Sequence, residues 1–347
     1  MSIYFGNSAF TALQELMKRK SYSKLFIVCD ENTHEHCLPF FLQENEFLPP
    51  LEILELECGE DTKSLSVLEQ LWHSMGELDA DRYSLVLNLG GGVISDLGGF
   101  LAATFMRGID FVNFPTSLLA MVDASVGAKT GINFGQFKNR IGVFAEPQLV
   151  GIVPDFLDTL PAEELLSAWA EMLKHALISS PQHFEDISKL DKQQPLPTLE
   201  QIKVSIGVKD AMVKKDPREH SVRKYLNFGH TFGHAIESDS HLREEPISHG
   251  HAVALGMMIA LDISVKQCGF SLEEANKIKV LLASAYAWPA FKLEKEAFHR
   301  LILGDKKNKG NVINMVLLSA IGAPVFNCKV AFETIWESYQ SISNGSH

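Results

Sequence analysis

The chain has 347 residues, of which 46% are hydrophobic and 21% charged, a balance typical of a globular protein with two domains. The net charge of −12 argues against a nucleic-acid or anionic-membrane partner. No apolar run reaches the length of a bilayer span, and the N-terminus lacks the pattern of a signal peptide. Five scattered cysteines without a CxxC pair indicate reduced thiols, so we expect a cytoplasmic location.

The first half of the chain alternates predicted strands with predicted helices. Short apolar runs predict buried strands at 24–29, 51–56, 84–89 and 111–114. Helices are expected at 10–20, at 64–78 and from the glycines after the third strand to about residue 106. This alternation predicts an α/β domain with a parallel sheet and helices on both faces.

A ligand site is expected beyond the carboxyl ends of these strands. The polar side chains and glycines that fall there are Asp30, Asn32, Glu60, Lys63, Thr116 and the run Gly90–Gly92. A strand, a glycine turn and a helix N-terminus together present backbone N–H groups to a pyrophosphate. The sequence GGGVISD is not GxGxxG, however, and a tight turn with close helix packing remains an alternative.

The middle of the chain changes character. Residues 121–142 hold four glycines and three basic residues without clean periodicity, which predicts a functional loop. Residues 147–157 return to strand character. Helices are then predicted at 161–178, 198–214, 229–238, 249–268, 271–285 and 294–303. We therefore expect an α/β domain over 1–155 and a helical domain over 156–347.

Three histidines and a glutamate indicate a metal site in the helical half. His230 and His234 are four residues apart, so a helix places them on one face, and His249 begins a further apolar run. Glu171 lies in another apolar helix. Such a mixed nitrogen and oxygen set leaves a coordination position open, as catalytic sites do. Histidines at this spacing also cap helices or sit at interfaces, so both interpretations stand at this point.

Cations are concentrated in the same stretches of this acidic chain. Singly, each is typical of a solvated surface charge. Together with the glycine-rich segment and the candidate metal site, they predict a pocket for a small anion bearing phosphate or carboxylate groups. These cations are Arg107, Lys129, Lys138, Lys174, Lys209, Arg223 and Lys306.

Several long motifs resemble the 3-dehydroquinate synthase family of the sugar phosphate cyclases. They occur in the family's order between about residues 24 and 322. The motifs are GGGVISDLGGFLAATFMRG, FPTSLLAMVDASVGAKTGIN, FKNRIG, DTLPAEELLSAWAEMLKHALI, IGVKDAMVKKD, NFGHTFGHAIES, HGHAVALGM and DKKNKG.

The resemblance implies a Rossmann-like α/β domain that binds NAD, an all-α C-terminal domain and an active site between them. It also implies Zn²⁺ (or Co²⁺) and a homodimer. The implied reaction converts 3-deoxy-D-arabino-heptulosonate 7-phosphate to 3-dehydroquinate and phosphate in the shikimate pathway, with NAD⁺ consumed and regenerated in each turnover.

The resemblance also implies residue roles. The metal ligands would be Glu171, His230 and His249, with His234 a catalytic-site residue instead of a ligand. Implied substrate-binding residues are Arg107 (from the partner subunit), Asp123, Lys129, Asn139, Lys174, Lys209, Glu219, Arg223, Asn227, His234 and Lys306. Within that set, the phosphate contacts would be Lys129, Asn139, Asn227 and His234, and the carboxylate contacts Lys209 and Arg223. Implied cofactor-binding residues are Asp30, Asn32, Glu60, Lys63, Gly91, Gly92, Asp96, Thr116, Ser117, Lys129, Lys138 and Thr159.

The sequence departs from the family pattern at three places. His251 stands where a glutamate usually follows the third ligand, and such carboxylates commonly fix ligand histidines. Ala128 replaces a glycine, which leaves the backbone there less free. Thr116 and Ser117 replace a threonine pair and keep both hydroxyls.

The sequence is less compatible with three alternative functions. A cyclase for another sugar phosphate, such as 2-deoxy-scyllo-inosose synthase, would not need the cations expected at a substrate carboxylate, Lys209, Arg223 and Lys306. A polyol dehydrogenase of the glycerol dehydrogenase type would not need so many phosphate-binding cations. A binding module without activity is disfavoured by Lys174, Lys209 and His234.

Overall fold

A computed structural model of the chain describes residues 2–135, 137–303 and 313–343, without the side chain of residue 137. The chain divides into two compact units, Met1–Pro161 and Ala162–His347. Among the residues described, no helix is long and apolar enough to cross a membrane.

A parallel sheet forms the centre of the first unit, as the alternating pattern predicted. The strands of this unit are β1 (Ile3–Phe5), β2 (Leu25–Asp30), β3 (Glu52–Leu56), β4 (Leu85–Gly90), β5 (Asp110–Pro115), β6 (Lys129–Phe134), β7 (Phe137–Phe144) and β8 (Val150–Ile152). Six of them pair in the order β1-β8-β5-β4-β2-β3, all parallel. The inner strands β2 and β4 are almost wholly buried, which explains their unbroken apolar runs.

Helices cover this sheet. They are α1 (Asn7–Arg19), α2 (Glu31–His36), α3 (Leu38–Glu44), α4 (Leu65–Glu77) and α5 (Gly92–Thr104). Short 3₁₀ helices span Glu60–Thr62, Phe105–Arg107 and Pro154–Thr159. The side chain of Asp30 accepts a 2.8 Å hydrogen bond from the backbone of Thr33, so the end of β2 also caps α2.

The segment 121–142 is not a loop, so that prediction was wrong. A π-helical turn spans Ala120–Ala124, and β6 and β7 form an antiparallel hairpin. Gly131 and Gly142 face each other across this hairpin, and a Cβ at either would overlap the opposite backbone. The described residues of β7 are exposed, so this strand carries no alternation of buried and exposed side chains by which sequence could identify it.

The second unit is mainly helical, as predicted. Its helices are α6 (Ala162–Leu177), α7 (Pro181–Ser188), α8 (Leu199–Lys215), α9 (His230–Leu242), α10 (His249–Cys268), α11 (Leu272–Ala283), α12 (Lys295–Leu303) and α13 (Phe332–Ser343). An antiparallel hairpin of β9 (Ile313–Ala320) and β10 (Ala323–Val330) is an addition that the sequence analysis did not predict. Residues 252–261 of α10 are all buried, so α10 is a core helix of this unit.

Candidate metal centre and binding residues

Helix α6 carries a fully buried carboxylate, Glu171. Its Oε2 oxygen forms an ion pair with Lys174, one turn later on the same helix and equally buried. Its Oε1 oxygen is buried and has no hydrogen-bond partner. Burial by itself raises the pKa of Glu171, but Lys174 and His230 outweigh it and hold that pKa well below its usual range. The carboxylate is therefore charged, with one oxygen available to a cation.

Close packing brings α9 and α10 to this carboxylate. Gly229 precedes α9 with φ +79°, and a Cβ there would lie 2.9 Å from the carbonyl of Val253. At the start of α10, a Cβ on Gly250 would overlap the backbone of Ser167 in α6. The backbone N–H of Gly250 donates to Ser167 Oγ over 3.0 Å. These approaches require glycine, and they fix the helix ends that carry the two histidines.

The Nε2 atoms of His230 and His249 lie 3.3 and 3.5 Å from Glu171 Oε1. Each ring is fixed through its other nitrogen, because His230 Nδ1 lies 3.1 Å from the carbonyl of Phe228 and His249 Nδ1 lies 3.2 Å from Glu237 Oε2. With Nδ1 held in these contacts, both Nε2 atoms face the carboxylate oxygen, and each would offer a lone pair to a cation once its imidazole is neutral.

These three ligand atoms all lie within 4.8 Å of one another. Tetrahedral zinc with bonds of about 2.0–2.1 Å separates neighbouring ligand atoms by about 3.4 Å, in agreement with the two distances to Glu171 Oε1. The donor set of two imidazoles and one carboxylate therefore fits zinc or a similar cation and leaves a fourth position for a substrate.

Protonation of the two imidazoles differs. Burial and the positive charge of Lys174 lower the pKa of His230. Burial also lowers that of His249, but its contacts with Glu171 and Glu237 prevail and raise the pKa of His249 to about 10. Metal ligation requires neutral imidazole, so metal binding would displace a proton from His249.

His234 lies beside the centre without joining the converging ligand atoms. Its ring centroid is 5.0 Å from that of His230 and 6.0 Å from that of His249, and its side chain is exposed. This geometry suits a residue that contacts a substrate. The catalytic role of His234 and the ligand roles of the other three residues stay predictions.

Glu237 is a residue that the sequence analysis missed. It lies on α9, seven residues after His230, and its carboxylate contacts His249. His251, which replaces the usual glutamate, lies 2.5 Å from the carbonyl of Ala287 through its Nε2 atom. The outer carboxylate of the centre is thus supplied from α9. The i, i+4, i+7 spacing of His230, His234 and Glu237 on one helix face was the available signal.

Two predicted anion-binding cations of the second unit are buried. Lys209 on α8 is 7% exposed, and Arg223 is 3% exposed, with a guanidinium nitrogen 2.6 Å from the carbonyl of Pro217. Asp216 orders this segment, because its carboxylate accepts backbone N–H groups of His220, Ser221 and Arg223.

Two other predicted residues of this segment contact each other. Asn227 Nδ2 donates to Glu219 Oε1 over 2.6 Å, and Glu219 has φ +62°. Lys306 lies outside the described residues.

The predicted cofactor residues of the first unit gather at the carboxyl ends of its strands. Gly91 caps α5, Gly92 begins that helix, and a Cβ on Gly91 would meet Ser117 Oγ at 3.4 Å. Thr116 and Ser117 directly follow β5. Asn32 lies in α2, and Thr159 ends the 3₁₀ helix Pro154–Thr159.

A buried ion pair joins two more of these residues, with Lys63 Nζ 2.5 Å from Asp96 Oδ2. Glu60, three residues earlier, accepts a 2.8 Å hydrogen bond from Asn133 Nδ2. Asn133 is a second residue that sequence reasoning missed.

The remaining predicted residues of the first unit lie on and near the β6–β7 hairpin. Lys129, Lys138 and Asn139 are exposed on it, and Asp123 is half-buried in the π-helical turn. Arg107 is exposed, with φ +71°.

A parallel α/β unit followed by a helical unit is the architecture of dehydroquinate synthase-like proteins. The N-terminal model of 3-dehydroquinate synthase matches residues 53–167, and its C-terminal model matches residues 168–308. The 3-dehydroquinate synthase of Parabacteroides distasonis is 42% identical over 331 residues, which cover 94% of this chain and 93% of that protein. This chain belongs to the 3-dehydroquinate synthase family.

Two solved cyclase structures share the fold of this chain. A 2-deoxy-scyllo-inosose synthase complexed with carbaglucose-6-phosphate, NAD⁺ and Co²⁺ superposes with a TM-score of 0.86 at 23% identity, covering 98% of this chain and 96% of that one. A 2-epi-5-epi-valiolone synthase from Streptomyces hygroscopicus with NAD⁺ and Zn²⁺ bound gives a TM-score of 0.84 at 24% identity, with coverages of 99% and 96%.

Proposed function

We propose that this protein is a 3-dehydroquinate synthase, which converts 3-deoxy-D-arabino-heptulosonate 7-phosphate to 3-dehydroquinate and phosphate. The observation that carries the proposal is the convergence of His230 and His249 on the orphaned oxygen of Glu171 in a chain of this family. Relatives with 36–42% identity over most of the chain carry this name, which favours it over a cyclase for another sugar phosphate or a polyol dehydrogenase.

We propose NAD⁺ and Zn²⁺ or Co²⁺ as cofactors. The donor set fits such a cation, and the related cyclases are solved with NAD⁺ and Co²⁺ or Zn²⁺. When bound, the cation supplies Lewis acidity that lowers the pKa of a coordinated hydroxyl, and the nicotinamide accepts and returns a hydride.

Residues of the second unit would hold and polarise the substrate. Phe228 and Glu237 orient the two imidazoles, so the chain would offer a cation two fixed imidazole nitrogens and one carboxylate oxygen. Lys174 keeps Glu171 ionised and places a positive charge at the centre. Lys209 and Arg223 are buried cations suited to a substrate carboxylate, for which bidentate arginine contacts give orientation as well as affinity.

Residues of the first unit would bind the cofactor and a phosphate. Backbone N–H groups at the start of α5, after Gly91, would be available to a pyrophosphate, as at other helix N-termini. Lys129, Lys138 and Asn139 present two cations and an amide on one hairpin. Such groups act by positioning and charge. The leaving phosphate would serve as its own base.

The proposed assembly is a homodimer in the cytoplasm. Arg107 and the preceding Met106 both have positive φ, and both side chains are exposed. Strained exposed residues of this kind are typical of functional contacts, here with the partner's substrate. Mixing inactive Arg107→Ala chains with inactive His234→Ala chains should restore activity if the arginine serves the partner site. Failure of a verified mixed dimer to recover any turnover would contradict this role.

Phosphate release tests the proposed reaction. Zinc-loaded protein given NAD⁺ and the heptulosonate phosphate should release phosphate catalytically while absorbance at the NADH wavelength returns to baseline. Steady NADH accumulation would instead indicate a dehydrogenase. Release of phosphate from other sugar phosphates alone would indicate another cyclase, and no release from any substrate would indicate a binding module.

A further inference from the structure

The β6–β7 hairpin contains an irregularity at the residues expected to bind anions. Ile132 pairs with Ile141, and Phe134 pairs with residue 137. One residue of β6, Asn133, therefore faces three residues of β7, which include Lys138 and Asn139. Asn139 has φ +54°, a left-handed conformation that an asparagine tolerates better than most residues. Bulges of this kind often re-aim side chains beside active sites.

Asn133 holds this bulge and reaches the cofactor residues at the same time. Its side-chain Oδ1 accepts a 2.8 Å hydrogen bond from the backbone N–H of Asn139. Its Nδ2 donates to Glu60 Oε1 over 2.8 Å. Its own backbone N–H donates to the carbonyl of Lys63, also over 2.8 Å. Lys63 is in turn paired with Asp96. One half-buried amide thus connects the turn 60–63 to the bulge 138–140.

We propose that Asn133 is a positioning residue that couples dinucleotide binding at Glu60 and Lys63 to phosphate binding at Asn139. This inference rests on the proposed function, which supplies the two ligands. Ordering of Glu60 by the dinucleotide would fix the amide of Asn133. The fixed amide would then hold the bulge in the conformation that presents Asn139. Because such coupling is reciprocal, phosphate must tighten dinucleotide binding by the same factor.

The chemistry of the amide makes asparagine specific at this position. One end must donate to a carboxylate and the other must accept from an N–H group. An aspartate in place of Asn133 would keep the acceptor but would set two carboxylates against each other. An alanine would remove both contacts while the backbone bond to Lys63 remained.

Binding measured with and without the second ligand tests the coupling. The probes are NAD⁺ and inorganic phosphate, titrated calorimetrically into the zinc-loaded protein. In the wild type, saturating NAD⁺ should tighten phosphate binding at least about fivefold, the lower end of common coupling factors. In Asn133→Ala, NAD⁺ should no longer change the phosphate affinity, so this factor should fall to about one. Phosphate alone should also bind more weakly to this variant.

Two further variants separate coupling from loss of structure. Asn133→Asp should lose the coupling and the phosphate affinity that depends on the bulge. Combining Asn133→Asp with Glu60→Gln exchanges hydrogen-bond donor and acceptor at constant net charge, so the double variant should regain phosphate affinity. Thr130→Val removes a different hairpin contact, the 3.1 Å hydrogen bond to the carbonyl of Val143, and should keep the coupling.

The outcomes distinguish this inference from the proposed function. A wild type that binds both ligands independently would overturn the coupling alone. So would Asn133→Ala with unchanged coupling, or loss of coupling in Thr130→Val to the same degree. A zinc-loaded wild type that binds neither NAD⁺ nor phosphate would overturn both.

Discussion

The Oε2 oxygen of Glu237 lies 3.2 Å from the Nδ1 nitrogen of His249. This contact sets the ring so that its Nε2 atom faces Glu171. A carboxylate from α9 thus orients the ring, while His251 contacts the carbonyl of Ala287.

Glu237→Gln should weaken zinc binding about 10- to 100-fold, the usual effect of losing an outer carboxylate. The amide can still contact the ring but no longer raises its basicity. Competition with a chromophoric chelator at pH 7.5 measures the affinity. Asp239→Asn on the same helix is the control, because Asp239 pairs with Arg243 and not with a candidate ligand. Equal zinc affinity in Glu237→Gln and wild type would show that the contact is incidental.

His230→Ala and His234→Ala should have opposite effects on metal content. Loss of His230 leaves two donors, so both metal binding and turnover should disappear. Loss of His234 should leave bound zinc near one per chain while turnover falls, because His234 is not among the three converging ligands. Elemental analysis after dialysis, together with the phosphate assay, checks both. Full activity with metal in either variant would contradict the assignment.

Lys174→Met should destabilise the zinc-free protein by about 3–5 kcal/mol, since it leaves Glu171 charged and buried without its partner. Zinc should recover part of that loss, so the gain in the free energy of unfolding on adding zinc should exceed that of the wild type. Urea unfolding with and without zinc measures both effects. Lys189→Met, which removes an exposed lysine paired with Glu185, is the control and should unfold like the wild type. An equally stable zinc-free Lys174→Met would argue against a charged Glu171.

Asp216→Asn should lower the free energy of unfolding by about 1–2 kcal/mol at neutral pH, since backbone N–H groups lose a charged acceptor. Burial opposes ionisation here, but those N–H groups prevail and lower the pKa of Asp216 to about 2. A carboxyl whose pKa is lower in the folded than in the unfolded state stabilises the fold at pH values above its unfolded pKa, which is near 4. That stabilisation is lost as the pH falls through the folded pKa of about 2. Urea unfolding should therefore show that the difference in the free energy of unfolding between variant and wild type is constant above about pH 5 and narrows below about pH 4. A difference that does not depend on pH would exclude the charge as its cause.

Ala128→Gly should stabilise the protein by about 0.5–1 kcal/mol, because Ala128 has φ +56° and the left-handed strain exceeds the entropy that glycine adds to the unfolded chain. Thermal melting should show a small upward shift. A lower melting temperature would mean that the alanine makes compensating contacts. Ala124→Gly in the neighbouring π-helical turn, where φ is not positive, should be destabilising and serves as the control.

Sequence reasoning succeeded where local geometry decides the outcome. The parallel strands follow from short unbroken apolar runs, and most helices and the one-turn spacing of His230 and His234 follow from a period of 3.6 residues. Neither pattern needs knowledge of the rest of the chain. It failed on the β6–β7 hairpin, because the described residues of β7 are exposed and its glycines serve close backbone approach. The β9–β10 hairpin was also missed.

By itself, the sequence determined which side chains were available as ligands and, through its motifs, which family to expect. Only the tertiary structure decided that Glu171 leaves one oxygen without a hydrogen bond, that Glu237 orients His249, and that Asn133 connects a turn to a bulge. The contact of Asn133 with Glu60 joins residues 73 positions apart in the chain. The geometry of all these contacts depends on how closely glycines let helices approach and on strand register. Neither quantity is encoded in the spacing of residues along the chain.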